Sequence, residues 1–169
     1  SLPFIIHEMH TDTNGRFVAL SGTWEGKTLN LMSIYVPPRL YGQVLAKLGS
    51  LLLALPQGTH IAGRDYNSIT NTNLDRWPLR MPSSTMPPLK GFMEAFGLSD
   101  LWRAHNPSSR QYSFHSGAHG SMLRIDHILV HAQHKYNCED GRFLALGISK
   151  HSPVWTSLGH KVRKRRGGK

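Results

Sequence analysis

Three apolar runs split by glycine-bearing turns, stopped by a double proline and followed by one helical stripe, restrict the start of this chain to an antiparallel meander feeding a helix. Phe4 to His10 is strand-like, and Thr11-Asp12-Thr13-Asn14-Gly15 is a turn by composition. Asn-Gly tolerates positive φ, and Asp and Thr bond back to local backbone. Arg16 to Trp24 reads as a second strand, Glu25-Gly26-Lys27 as a tight turn, and Thr28 to Val36 as a third strand. Pro37-Pro38 ends the meander, because proline cannot donate to the ladder. From Tyr41 to Leu55 the apolar residues Val44, Leu45, Leu48, Leu51, Leu52 and Leu55 form one helical stripe, stopped at Pro56-Gln57-Gly58. Thr59 to Gly63 is a short strand running into Asp65.

The remainder is less regular. Asn67 to Pro88 is polar, rich in Pro and Ser, and reads as a long surface loop. Leu89, Phe92, Met93 and Phe96 resume a helical stripe with Gly97 as its cap. Tyr112 to Ser116 and Leu123 to Val130 read as strands around the turn Gly117-Ala118-His119-Gly120, and Ser152 to Leu158 as a final strand. Cys138 to Gly147 is ambiguous. Strands in mixed order with two long helices between them indicate an α+β fold or a layered sandwich. At 169 residues this is one domain, taken as residues 1–159, followed by a basic tail at 160–169 that is disordered by composition.

Lys and Arg number 20 against 10 Asp and Glu, a formal charge of +10 that favours a polyanionic partner. Part of it sits in Lys161, Arg163, Lys164, Arg165, Arg166 and Lys169, a run that reads as a nucleic-acid contact, a nuclear import signal or a solvated terminus. The lone Cys138 rules out an intrachain disulfide and fits a reducing, intracellular compartment. No apolar run is long enough to span a bilayer, no secretory signal is visible, and no membrane partner is expected. The opening Ser1-Leu2-Pro3-Phe4 reads as the middle of a longer sequence.

Four strings place one polar group each at the edge of an apolar run: Ser33-Ile34-Tyr35-Val36-Pro37, Ala62-Gly63-Arg64-Asp65-Tyr66-Asn67, Arg124-Ile125-Asp126-His127-Ile128-Leu129 and Ser149-Lys150-His151-Ser152-Pro153-Val154. An ionised Asp65 can orient or deprotonate water, and the Asn67 amide can bond a phosphate oxygen without adding like charge. The same pair also suits an Asx turn. Asp126 at a strand edge needs a partner, and His151 is favoured: a carboxylate on one ring nitrogen fixes the tautomer and leaves the other for substrate. His151 equally suits a boundary histidine, and Tyr35 either a phosphate contact or an aromatic packed at the sheet edge.

Taken together, the strings resemble the endonuclease/exonuclease/phosphatase superfamily, most of all the apurinic-type endonuclease domain of non-LTR retrotransposons of the long-interspersed-element kind. Leu98 to Arg103, Tyr112 to Phe114, Asp75-Arg76 and Leu123 to Leu129 are similar to further motifs of those domains. The resemblance implies a layered α/β sandwich of two packed mixed sheets flanked by helices, here without its first strands. It implies Mg²⁺-assisted hydrolysis of a DNA phosphodiester. Asp65, Asn67, Asp126 and His151 would be catalytic, and Tyr35, Ser113 and Arg124 would contact the phosphate or the DNA strand. Two departures matter. The principal glutamate ligand of the family has no counterpart, which leaves the metal ligands unassigned, and Lys150 stands where the family has an Asp. Arg64 also occupies a place usually held by Gly. These departures predict an impaired enzyme, with a non-catalytic nucleic-acid binder or a decayed retroelement fragment as the alternatives.

Overall fold

The turn chemistry of the first third carries directly into structure. In the computed structural model, which describes residues 3–78, 87–138, 141–144 and 149–159, strands β1 (Ile5–Thr11), β2 (Phe17–Trp24) and β3 (Lys27–Tyr35) form the antiparallel meander. Glu25 and Gly26 both take positive φ, 50° and 73°, as a two-residue hairpin turn requires. After Pro37-Pro38, helix α1 (Tyr41–Ala54) crosses over to β4 (Thr59–Asp65), which pairs parallel to β3. A parallel pair needs such a crossover.

The chain continues through β5 (Arg76–Trp77), α2 (Pro88–Ala95), β6 (Leu98–Asp100), α3 (Leu101–His105), β7 (Phe114–Ser116), β8 (Ser121–Leu123), β9 (Asp126–His131), β10 (Arg142–Phe143) and β11 (Val154–Trp155). The main sheet is six-stranded and mixed, in the order β1-β2-β3-β4-β9-β6, with a three-stranded sheet β5-β8-β7 and the pair β10-β11 beside it. This is the layered α/β sandwich the motifs implied. One face of the main sheet packs Ala19, Met32, Ile34, Ala62 and Leu129 against Val44, Leu45 and Leu48 of α1 and Leu89 and Phe92 of α2. The other face contributes Val18, Leu20, Leu31, Ile61 and Ile128 to a cavity of about 500 Å³, with Pro153 and Val154 on its far side. Helix α2 stops as expected: Gly97 takes φ 60°, the left-handed cap conformation.

Three sequence expectations need correction. The stretch from Asn67 is not all surface loop: Ile69 and Asp75 are buried and β5 forms at its centre, while residues 79–86 lie outside the described residues. Leu123 to Val130 is not one strand but two, β8 and β9, broken at Arg124-Ile125 where the chain passes from the small sheet to the large one. The final strand shrinks to Val154–Trp155, preceded by Pro153, which has no N–H to give a ladder. The basic tail at 160–169 lies outside the described residues.

The break at Arg124 has a physical cause. Its guanidinium is fully buried and donates to Asp75 through Nε (2.8 Å) and Nη2 (2.9 Å), and to Asp100 Oδ2 through Nη1 (2.6 Å). Arg103 reaches Asp75 at 2.6 Å, and the His127 ring spans Asp100 (2.9 Å) and the Ser68 carbonyl (2.7 Å). Burial alone pushes both carboxyls up, but Arg124 and His127 outweigh it and hold Asp75 and Asp100 below the usual carboxylate range. Groups that titrate lower when folded stabilise fully above the unfolded value of about 4, and that stability drains as pH falls through their folded values. Asp75→Ala strands two arginines and should cost about 3–5 kcal/mol at pH 7. Urea denaturation across pH should show the gap from wild type narrowing at acid pH; a gap that stays constant would contradict this account.

Candidate active site at the sheet end

Register alone lines up the site. Tyr35 on β3 is the direct partner of Asp65 on β4, and Asp65 is the direct partner of Asp126 on β9. Lateral neighbours in a sheet share a face, so three strand ends present an aromatic hydroxyl and two carboxylates in one row. Tyr35 is 39% exposed and stands at the solvent end of it. The His151 ring meets Asp126 Oδ2 through Nδ1 at 2.9 Å and packs at a tilt of 52° against Phe114, with ring centroids 4.9 Å apart.

Asp65 and Asn67 form the Asx turn that their composition suggested, and they still stand at this row. The Asn67 backbone N–H donates to Asp65 Oδ1 (2.8 Å), and its side-chain amide donates to Val36 O (3.0 Å) and Asp65 Oδ2 (3.3 Å). Asn67 takes φ 46° to do so. Burial, and behind it the neighbouring Asp126, push the Asp65 carboxyl up, while the Asn67 N–H, His151 and Arg64 pull the other way. A half-buried acid with a raised proton affinity beside a carboxylate–histidine pair is an arrangement for moving protons at a substrate.

The structure brings Tyr35, Asp65, Asn67, Asp126 and His151 together, and Lys150 precedes His151 in the chain, exposed. It removes Arg124 and Ser113 from the substrate side. Arg124 is sealed in the ion-pair cluster described above, and Ser113 is fully buried. What Ser113 does instead is hold the site together. Its Oγ accepts the backbone N–H groups of Ile125 and Asp126, both at 3.0 Å, and its own N–H donates to the Leu123 carbonyl at 2.9 Å. Its carbonyl accepts from Ser152 N–H at 2.7 Å, and His115 N–H donates to the Lys150 carbonyl at 3.1 Å. Residues 113–115 therefore clamp the Asp126 segment to the His151 segment. Sequence reasoning missed this role, although a small hydroxyl beside two aromatics in Tyr112-Ser113-Phe114 was the visible signal.

Magnesium, implied by the motif resemblance, takes near-octahedral oxygen ligands. Among the described residues no three His, Cys, Asp or Glu side chains converge closely enough to hold a metal ion. Both Asp65 oxygens serve Asn67, Asp126 Oδ2 serves His151, and a lysine adjoins the row. The donor set present does not fit a resident Mg²⁺.

No family model matches the sequence. Solved structures do match. A 3′ phosphatase from Neisseria, bound to a product DNA hairpin, superposes with a TM-score of 0.69 at 18% identity over 93% of this chain and 72% of that one. An AP endonuclease from Archaeoglobus fulgidus gives 0.63 at 16%, over 92% and 72%. The endonuclease domain of TRAS1, a telomere-specific non-LTR retrotransposon, gives 0.65 at 14%, over 90% and 67%. The chain shares the fold of these phosphatase and endonuclease structures. Identities this low speak for the fold and not for the chemistry.

Two substitutions test the construction of the site. Arg64 is held at φ 119°, a region that favours glycine. Strain of this kind costs about 1–3 kcal/mol, so Arg64→Gly should be more stable than Arg64→Ala by about 1 kcal/mol in chemical denaturation, and equal stabilities would refute the strain. Ser113→Ala orphans two buried N–H groups and should cost about 2 kcal/mol or more. Ser113→Thr, which keeps the hydroxyl, should recover part of that loss. If the alanine variant is as stable as wild type, the clamp is not holding.

Proposed function

We propose that this chain is a phosphodiester-directed nucleic-acid protein, derived from a retrotransposon endonuclease, whose DNA-cleaving chemistry is impaired. The observation that carries the reading is the single row Tyr35–Asp65–Asp126 with His151 bonded to Asp126. The Nδ1 contact to Asp126 fixes the ring and leaves Nε2 to meet a phosphate oxygen or a leaving oxygen. Asp65, with its raised proton affinity, is placed to take a proton from a water. Tyr35 supplies a hydroxyl donor at the exposed end of the row. The likeness to a DNA-bound phosphatase, an AP endonuclease and a retrotransposon endonuclease domain supports DNA as the polymer and a retroelement as the source. The +10 charge supports a polyanionic partner, and the basic run at 160–169 supports a nuclear site of action.

Impairment follows from the donor set. A divalent ion at a phosphoryl oxygen supplies several kcal/mol of transition-state stabilisation. At about 1.4 kcal/mol per factor of ten, its loss slows turnover by about 10³-fold or more. Binding, which draws on the positive surface, survives that loss.

The test pairs fluorescence anisotropy on a DNA duplex with nicking of supercoiled plasmid. Binding should weaken linearly in log–log form as salt rises. Nicking should be slow, unchanged by added magnesium and removed by His151→Ala. Failure to bind DNA at any salt would end the phosphodiester reading. Vigorous nicking abolished by chelator would end the impairment and leave the phosphodiester reading standing.

A further inference from the structure

Two cationic residues are chain neighbours of the acidic row. Arg64 immediately precedes Asp65 and Lys150 immediately precedes His151, and both are exposed. Neither is held in an ion pair among the described residues, although Arg64 lies near enough to draw the Asp65 carboxyl down. The backbone fixes both positions. The Lys150 carbonyl is bonded to His115 N–H, in the same clamp that holds His151 against Asp126, and Arg64 is locked between β3 and β9 at its positive φ.

Building on the phosphodiester reading above, we infer that Arg64 and Lys150 stand in for a divalent ion, so that the site grips a nucleic-acid phosphate directly and needs no metal to bind it. Asp65 and Asp126 would otherwise repel a phosphate, and two protein cations carry the same formal charge as one divalent ion. Arg presents a rigid fork of donors matched to phosphate, and Lys a mobile point charge. Their reach differs from that of an ion in one respect. Cations on long stems neutralise charge but do not ligate a water or lower its pKa as a bound metal does. Binding without efficient hydrolysis is the consequence.

The experiment is fluorescence anisotropy of the full chain with a labelled DNA duplex, in EDTA and in millimolar magnesium. Wild type should bind equally well in both, within about twofold. Lys150→Ala and Arg64→Ala should each weaken binding about tenfold, the loss of one charge-assisted contact. Lys164→Ala removes the same charge from the tail and should weaken binding by only about twofold, the ordinary price of one phosphate neutralised. Thermal melts confirm that each variant folds. If wild type binds no DNA at all, the phosphodiester reading falls and takes this inference with it. If DNA binding requires magnesium, or if the two site variants lose no more affinity than Lys164→Ala, this inference alone falls.

Discussion

The buried guanidinium of Arg124 sits where the chain must leave the three-stranded sheet and enter the six-stranded one. Arg124 N–H donates to the Asp75 carbonyl at 2.9 Å while its side chain bridges the Asp75 and Asp100 carboxylates. A charge this deep is tolerable only when every donor is matched. The match draws together the loop after β4, the end of β6, the start of α3 and the β8–β9 junction. Two residues further along the chain is Asp126. The position of that carboxylate, and through it of His151, is inherited from an ion-pair cluster that itself touches no substrate.

This dependence explains what was legible in the sequence and what was not. The meander, α1 and β4 were readable because their signals are local: Asn-Gly and Glu-Gly turns, a double proline, one apolar stripe. The row of Tyr35, Asp65 and Asp126 was partly readable, because each residue stands at one end of an apolar run, Tyr35 and Asp65 closing theirs and Asp126 opening its own. Arg124, Asp75 and Asp100 were not readable as a cluster. In sequence they are charged residues 24 and 49 positions apart, and a charged residue in a motif invites a surface role. Ser113 misled in the same way: it belongs to the site by position but faces inward, and only the backbone N–H groups of Ile125 and Asp126 reveal its use. Strand breaks such as the one at Arg124-Ile125 leave no trace in hydrophobic pattern, since both sides of the break remain apolar.

The end of the sheet that carries the acidic row also holds strained backbone. Arg64 and Asn67 both sit at positive φ, and Asp65 is pushed towards its protonated form by burial and by Asp126. None of this helps the fold, and each feature is stabilised by neighbours that are better satisfied: β3 and β9 on either side of Arg64, and the Val36 carbonyl for Asn67. Of the three described non-glycine residues at positive φ, two lie at this row and the third, Glu25, in the β2–β3 turn, and strained backbone persists only where the surrounding frame over-determines it.

A polar row can outlive its original chemistry because binding and catalysis draw on different properties of the same charges. Gripping a phosphate requires positive charge within a few ångströms, and a lysine or arginine supplies it at almost any orientation. Hydrolysis requires charge at one point, rigidly held, able to bind a water and still present as the negative charge on the phosphoryl oxygens grows. A lysine at position 150 could meet the first requirement and not the second. Under the proposed reading, recognition and cleavage would then be separable while Tyr35, Asp65, Asp126 and His151 keep their places.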